Sequence, residues 1–210
     1  MDLVIKRSKR KSFSLTLNDR GEAVVRAPLY ATDEQIFAFV NQHKRWLSRR
    51  LAERENVPKL SLKEGVQLCL FGRIYTVYDG KRGVKGDYIY LNPQRREEDF
   101  IFLLKQMAKE EMEMRTGAFA REYGFTYQGV RISSAQSRWG SCNQKGNIAY
   151  TFRCAFLPVP ALDYLSVHEL CHTKHLNHST AFWQEVEHTL PDWKKRRAQL
   201  KSYNGFMRLL

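Results

Sequence analysis

Apolar positions along the chain change period several times, and each change marks an element. Ser12 to Leu17 alternates apolar with polar, Asn18-Asp19-Arg20-Gly21 has turn composition, and Ala23 to Ala27 resumes the alternation. A period of two around such a turn predicts a hairpin, so residues 3–27 read as strands closed by Pro28. The period then lengthens. Ile36, Phe37, Phe39, Val40, Trp46 and Leu47 recur at helical spacing behind Thr32, a suitable N-cap, with Glu34 and Gln35 in the first turn. This helix is expected to run to about Glu53. Glu55 to Lys63 is a polar, proline-containing link, and Gln67 to Tyr78 and Asp87 to Leu91 predict a second strand pair around Asp79-Gly80.

In the second half, Phe100, Ile101, Leu104, Met107, Ala108, Met112, Phe119 and Tyr123 recur at three and four. They predict a long helix from Arg96 to about Tyr123, with Gly117 as a kink or a weak point. Val130 to Ser134 and Asn147 to Phe152 read as strands. Pro160 suits a first helical position, and the helix it opens should continue to about Leu176. A helix capped by Ser179 follows from near Ala181, and a last one covers Asp192 to Tyr203. The order is strands, helix, strands, then helix, strands, helices, which favours an α+β fold. The expected division is an N-terminal β-rich subdomain with one helix, residues 1–95, followed by a catalytic half, residues 96–210.

Composition narrows the class. Hydrophobic residues make up 43% and charged residues 27%, enough for a buried core with a soluble surface. The longest apolar runs fall short of a membrane span. Leu3-Val4-Ile5 is too short for the apolar core of a signal peptide, so the expected location is the cytoplasm. Cys69, Cys142, Cys154 and Cys171 are scattered without a C-x-x-C pair. That disfavours a disulfide framework or a cysteine zinc site and suits small buried apolar groups. The net charge of +13 is uneven: Lys6, Arg7, Lys9, Arg10 and Lys11 crowd the start, and Lys194, Lys195, Arg196 and Arg197 cluster near the end. Solvated basic faces explain such clusters, and weak non-specific nucleic-acid contact is the functional alternative.

The chemistry concentrates between residues 168 and 178. His168-Glu169-Leu170-Cys171-His172 is an H-E-x-x-H motif. Histidines four apart on a helix share a face one turn apart, so both imidazoles reach one cation. Zinc favours nitrogen ligands, and a catalytic site leaves one position open to water. Glu169 follows the first ligand and sits beside the metal, where it can serve as general base toward metal-activated water. His178 lies six residues after His172, the third-ligand spacing of H-E-x-x-H-x-x-G-x-x-H enzymes, but His175 stands where that pattern has glycine. A straight helix would leave His175 in line with the first pair and poorly placed to close a tetrahedron. His178 can close it if the chain turns back after Leu176, with Asn177 tolerating a left-handed turn.

The sequence also resembles a known family, the YgjP-type metallopeptidases, related to the SprT-like zinc proteases. The residues that carry the likeness are Arg138-Trp139-Gly140-Ser141-Cys142, Leu162-Asp163-Tyr164, Val167 to His172, and Asn177-His178-Ser179 with Phe182-Trp183. The opening Val4 to Lys11 and Val25-Arg26-Ala27-Pro28 extend it over nearly the whole chain. The resemblance implies a compact zincin-like catalytic half with His178 as third ligand, and it leaves the substrate open.

Other residues have two readings. Tyr164 precedes His168 by one turn and either orients water or an oxyanion, or packs in the core. Arg138 binds an anionic or carboxylate part of a substrate, or pairs a carboxylate structurally. Trp139, Trp183 and Cys171 read as packing, and His188 as a surface group. The function expected is a zinc-dependent metallopeptidase acting on a peptide or protein substrate, with the Asn147–Phe152 strand offering an edge to extended chain. The alternatives are a metal-dependent nucleotide phosphohydrolase, which would suit the basic surplus, and a DNA-associated protease or nucleic-acid-binding module.

Overall fold

The computed structural model describes residues 3–18, 21–55 and 60–210. The chain gathers into two compact units, Met1–Val57 and Pro58–Leu210. Parts of the expected Asn18–Gly21 turn and of the Glu55–Lys63 link lie outside the described residues. The architecture is mixed α+β, with three small sheets and six α-helices among the described residues.

In the first unit, β1 (Leu3–Ser8), β2 (Ser14–Leu17) and β3 (Ala23–Pro28) form a sheet in the order β1-β3-β2. β2 and β3 are the expected antiparallel pair, and β1 runs parallel to β3 on its other side. Val25, Ala27, Ala31, Ile36 and Val40 are buried together beneath the sheet. α1 (Asp33–Gln42) starts as expected: Thr32 accepts from Gln35 N at 3.3 Å, and Gln35 Oε1 accepts from Thr32 N at 3.1 Å, closing a capping box. The single helix expected to about Glu53 is two. α1 stops at His43, whose N–H turns back to Val40 O, and α2 (Lys44–Glu55) begins at once. The His43 Nδ1–H takes the freed Phe39 carbonyl at 2.9 Å, a side-chain bond that competes with the backbone ladder.

The second unit opens with β4 (Gln67–Leu70), β5 (Arg73–Asp79), β6 (Gly83–Lys85) and β7 (Tyr88–Leu91), in the order β4-β5-β7-β6. The expected strand pair around Asp79-Gly80 is present as β5 and β7, which run parallel with β6 as the connecting edge. The tight turn lies earlier, at Phe71-Gly72, where φ of 53° and 76° puts both residues in the left-handed region, as two-residue hairpin turns require. Phe71 hides this signal in the sequence because phenylalanine reads as a strand residue. It holds the strained position by burying its ring.

α3 (Arg96–Tyr123) is one continuous helix through Gly117, ended by left-handed Gly124. Phe100, Leu104, Ala108, Met112, Thr116 and Ala120 form its buried stripe. β8 (Gly129–Ser133), β9 (Gly140–Cys142) and β10 (Asn147–Thr151) form the last sheet, in the order β8-β10-β9. β10 is therefore the middle strand, parallel to β8 and antiparallel to β9. The expectation that Asn147–Phe152 offers a free edge fails for that reason, and β9 carries an outer edge instead. A 3-10 turn, Phe152–Phe156, leads into α4 (Val159–Lys174), α5 (Thr180–Thr189) and α6 (Trp193–Ser202). Charge ties the helices around α4 together: Asp163 of α4 accepts from Arg115 of α3 and, at 3.0 Å, from Arg196 of α6. No helix among the described residues is long and apolar enough to cross a membrane.

Candidate metal centre

Pro158 is the N-cap of α4, and Pro160 in its first turn loses no helical hydrogen bond there. Eight residues on, His168 and His172 project from one face with ring centroids 4.9 Å apart and planes at 90°. α4 then ends at Lys174, two residues before the expected stop. His175 caps it in an extended conformation (φ −129°, ψ 105°). Asn177 does not adopt the left-handed turn expected of it, since no non-glycine residue near it has positive φ. Its Oδ1 accepts instead from Ser179 N at 3.2 Å, and Ser179 in turn caps α5 by accepting from Phe182 N at 3.4 Å. Two short side-chain-to-backbone turns thus reverse the chain, and His178 falls between them.

The reversal brings His178 back over the helix. Its ring lies 5.0 Å from His168 and 4.7 Å from His172, and its Nε2 is 3.1 Å from His168 Nε2. One ligand atom from each of the three histidines lies within 4.8 Å of the others, the group among the described residues able to hold a metal ion. Two nitrogens bound to zinc at about 2.0–2.1 Å in a tetrahedron stand roughly 3.3 Å apart, so the spacing suits such an ion.

The outer contacts fix which nitrogens face inward. His172 Nδ1 donates to the His175 carbonyl at 2.9 Å, leaving Nε2 with its lone pair. His168 Nδ1 lies 3.3 Å from the Tyr164 hydroxyl, which accepts in the tautomer that frees Nε2. Such partners set ring orientation and ligand basicity at metal sites. Tyr164 is itself buried, with its hydroxyl against His168 and its side chain at the wall of the cleft beside the histidines. His175 contributes its backbone, and its imidazole lies 4.0 Å from Glu185. Burial, and then the neighbouring His172, His178 and Arg197, push His168 down to about 3, and burial lowers His178 as well. The His168 and His178 imidazoles are thereby held toward the neutral form, which donates a lone pair. Phe182, fully buried, supports all three rings at 4.6–5.0 Å.

Glu169 points to the other side of the helix face, toward β9. It is 3% exposed, and its Oε2 is buried with no hydrogen-bond partner. Burial pushes its carboxyl up to about 8, against a smaller opposing pull from Arg138. A buried carboxylate oxygen without a partner is costly unless something outside the chain completes it. Gly140 makes this packing possible: a Cβ there would stand 2.5 Å from Glu169 Oε1. The Arg138–Cys142 segment thus meets Glu169 at Gly140, and Arg138 supplies the opposing electrostatic pull. Trp139 is buried, with Nε1 donating to Asn204 at 3.1 Å. Cys154 and Cys171 are buried as expected, whereas Cys69 is exposed and Cys142 half-buried. His188 stands apart, edge-on to Tyr123. Trp183, expected as core packing, is half-buried and stacks on His178 at 5.5 Å, a contact that the i+5 spacing alone does not announce.

Residues 11–203 match the family model described as the YgjP-like metallopeptidase domain. The chain belongs to the YgjP-like family. No curated protein and no solved structure matches it. A metallopeptidase domain implies a metal, and in this YgjP-like chain the three converging histidines are able to hold one.

Proposed function

We propose that this YgjP-like domain is a zinc-dependent peptidase with a zincin-like catalytic half, residues 96–210, in which His168, His172 and His178 are the metal ligands and Glu169 the general base. The observation that carries the reading is the unpartnered, buried Glu169 oxygen on the same helix as two of three converging imidazoles. Bound zinc would supply Lewis acidity to the scissile carbonyl and to the attacking water, and its charge would favour ionised Glu169. The rest of the work falls to the chain. Tyr164 and the His175 carbonyl hold two ligand rings by their Nδ1 atoms. Glu169 takes a proton from the attacking water and passes it to the leaving amine. The outer edge of β9, next to Glu169, receives the substrate as an added extended strand, so that its carbonyl comes up to the histidines. Arg138, exposed at the start of this segment, meets the substrate or tempers the charge on Glu169.

Phosphohydrolase chemistry is the weaker reading, because it commonly uses two metals and the described residues gather ligands for one. The basic surface would add weak, salt-dependent contact with nucleic acid, and the site of action would be the cytoplasm. The test is peptide hydrolysis by protein of measured zinc content. Cleavage that is lost on chelation, restored by zinc and absent in Glu169→Gln supports the reading. A fully zinc-loaded protein that cleaves nucleotides and no peptide would contradict it.

A further inference from the structure

The cleft beside the histidines, about 280 Å3, is lined by two cations, Arg197 and Lys201, one turn apart on α6. Glu169 is the one carboxylate lining it among the described residues. The neighbouring Arg196 shows the contrast, because it is spent on Asp163 at 3.0 Å and Asp192 at 2.7 Å. Arg197 makes no ion pair with a carboxylate among the described residues. Two indoles hold it instead: its guanidinium lies 4.8 Å from the Trp183 ring and 5.9 Å from the Trp193 ring, which are stacked on each other at 4.5 Å. Trp183 stacks in turn on His178. The stack therefore runs from a candidate ligand to a half-buried cation facing the same cleft.

A staple between α5 and α6 is the plain reading of this stack, since cation–π contacts stabilise helices by themselves. But a cation–π contact does not spend the N–H donors, and Arg197 makes no side-chain hydrogen bond among the described residues, so its donors remain available for the fork-shaped pairing that arginine makes with carboxylates. A cation already restricted by two indoles also loses little further freedom on binding.

We propose that Arg197, assisted by Lys201, is a specificity-determining residue that binds a carboxylate of the peptide substrate, either an acidic side chain near the scissile bond or a free C-terminus. The inference rests on the peptidase reading for its substrate class. Binding and turnover are therefore measured separately, on the zinc-loaded full chain. In the binding arm, the Glu169→Gln variant is titrated with fluorescent peptides that differ only in a Glu, Gln or Lys scanned through the sequence. Each is made with a free and with an amidated C-terminus. The expected result is at least about tenfold tighter binding of the carboxylate-bearing peptides, the strength of a charge-assisted pair. Arg197→Gln should abolish that preference and Arg197→Lys should keep part of it. Lys195→Gln, which removes the same charge from an exposed position on α6, should leave it intact. A preference confined to the Glu scan identifies a side-chain subsite, and one confined to the free acids identifies a C-terminal one. Equal binding of all peptides would overturn the proposal, as would a preference that survives Arg197→Gln or falls equally with Lys195→Gln. Tighter binding of an oligonucleotide of matched charge, lost in Arg197→Gln, would overturn it in favour of nucleic acid. In the turnover arm, wild-type protein that binds acidic peptides and cleaves none would sink the peptidase reading while leaving carboxylate recognition standing.

Discussion

Replacing Glu169 by glutamine should stabilise the metal-free protein, and by an amount that depends on pH. The Glu169 carboxyl is 3% exposed, lacks a partner on Oε2 and is pushed by burial from an ordinary 4.5 up to about 8. Between those values the folded state keeps the proton that the unfolded state has released. Stability from neutral Glu169 is thus fully present below pH 4.5, declines as pH rises, and is gone above about 8. At 1.36 kcal/mol per pH unit, the gap is worth on the order of 5 kcal/mol above pH 8 and about 3 kcal/mol at pH 7. Glutamine has the same shape and does not titrate. Any cost of burying its amide is independent of pH, and all other titrating groups are common to both proteins. The stability difference, variant minus wild type, should therefore grow by several kcal/mol between pH 5 and pH 8.5. Urea unfolding of both proteins in chelator at those two pH values measures it. A difference that stays flat would mean that Glu169 is solvated or paired in the folded state, and the argument from its burial would fall. The same substitution should leave zinc bound and remove turnover.

The other site residues give sharper local tests. His178→Ala should weaken zinc binding by more than about a hundredfold, beyond what loss of an outer contact costs; His175→Ala, which keeps the carbonyl that His172 uses, should change it little, as competition with a chelating dye would reveal. Tyr164→Phe removes the hydroxyl at His168 Nδ1 and should cost about tenfold in zinc affinity in the same assay; an unchanged affinity would make Tyr164 a packing residue only. Gly140→Ala drives a methyl to within 2.5 Å of Glu169 Oε1 and should abolish peptide cleavage with zinc content unchanged. Full activity in that variant would show that Glu169 does not need its place against β9.

Much of this site can be read from the sequence because its first part is local. His168, Glu169 and His172 sit on one helix, where spacing alone decides which side chains share a face. His178 is also visible by spacing, yet the turn that delivers it is not. The helix stops at Lys174, and Asn177 works through its side-chain oxygen where a left-handed backbone was expected. That choice depends on competing hydrogen bonds of comparable strength, which composition does not rank. Gly140 is hidden for a different reason. A three-residue strand has too little length to show a period, and the need for glycine comes from Glu169, 29 positions away in sequence. The two runs around Asp79-Gly80 read as a strand pair and do pair, but their parallel sense depends on the β6 crossover, which the sequence pattern does not show. In α1 and α2, apolar spacing persists across His43, and the break shows only in its backbone turn to Val40 and its side-chain bond to Phe39.

The most direct measurement is a zinc-loaded crystal structure with an anomalous difference map collected at the zinc edge. The account predicts one strong peak, at about 2.0–2.1 Å from Nε2 of His168, His172 and His178, with a carboxylate oxygen of Glu169 outside bonding distance and facing the open fourth position. A peak bound by His175 in place of His178, or one with Glu169 as a direct ligand, would contradict it.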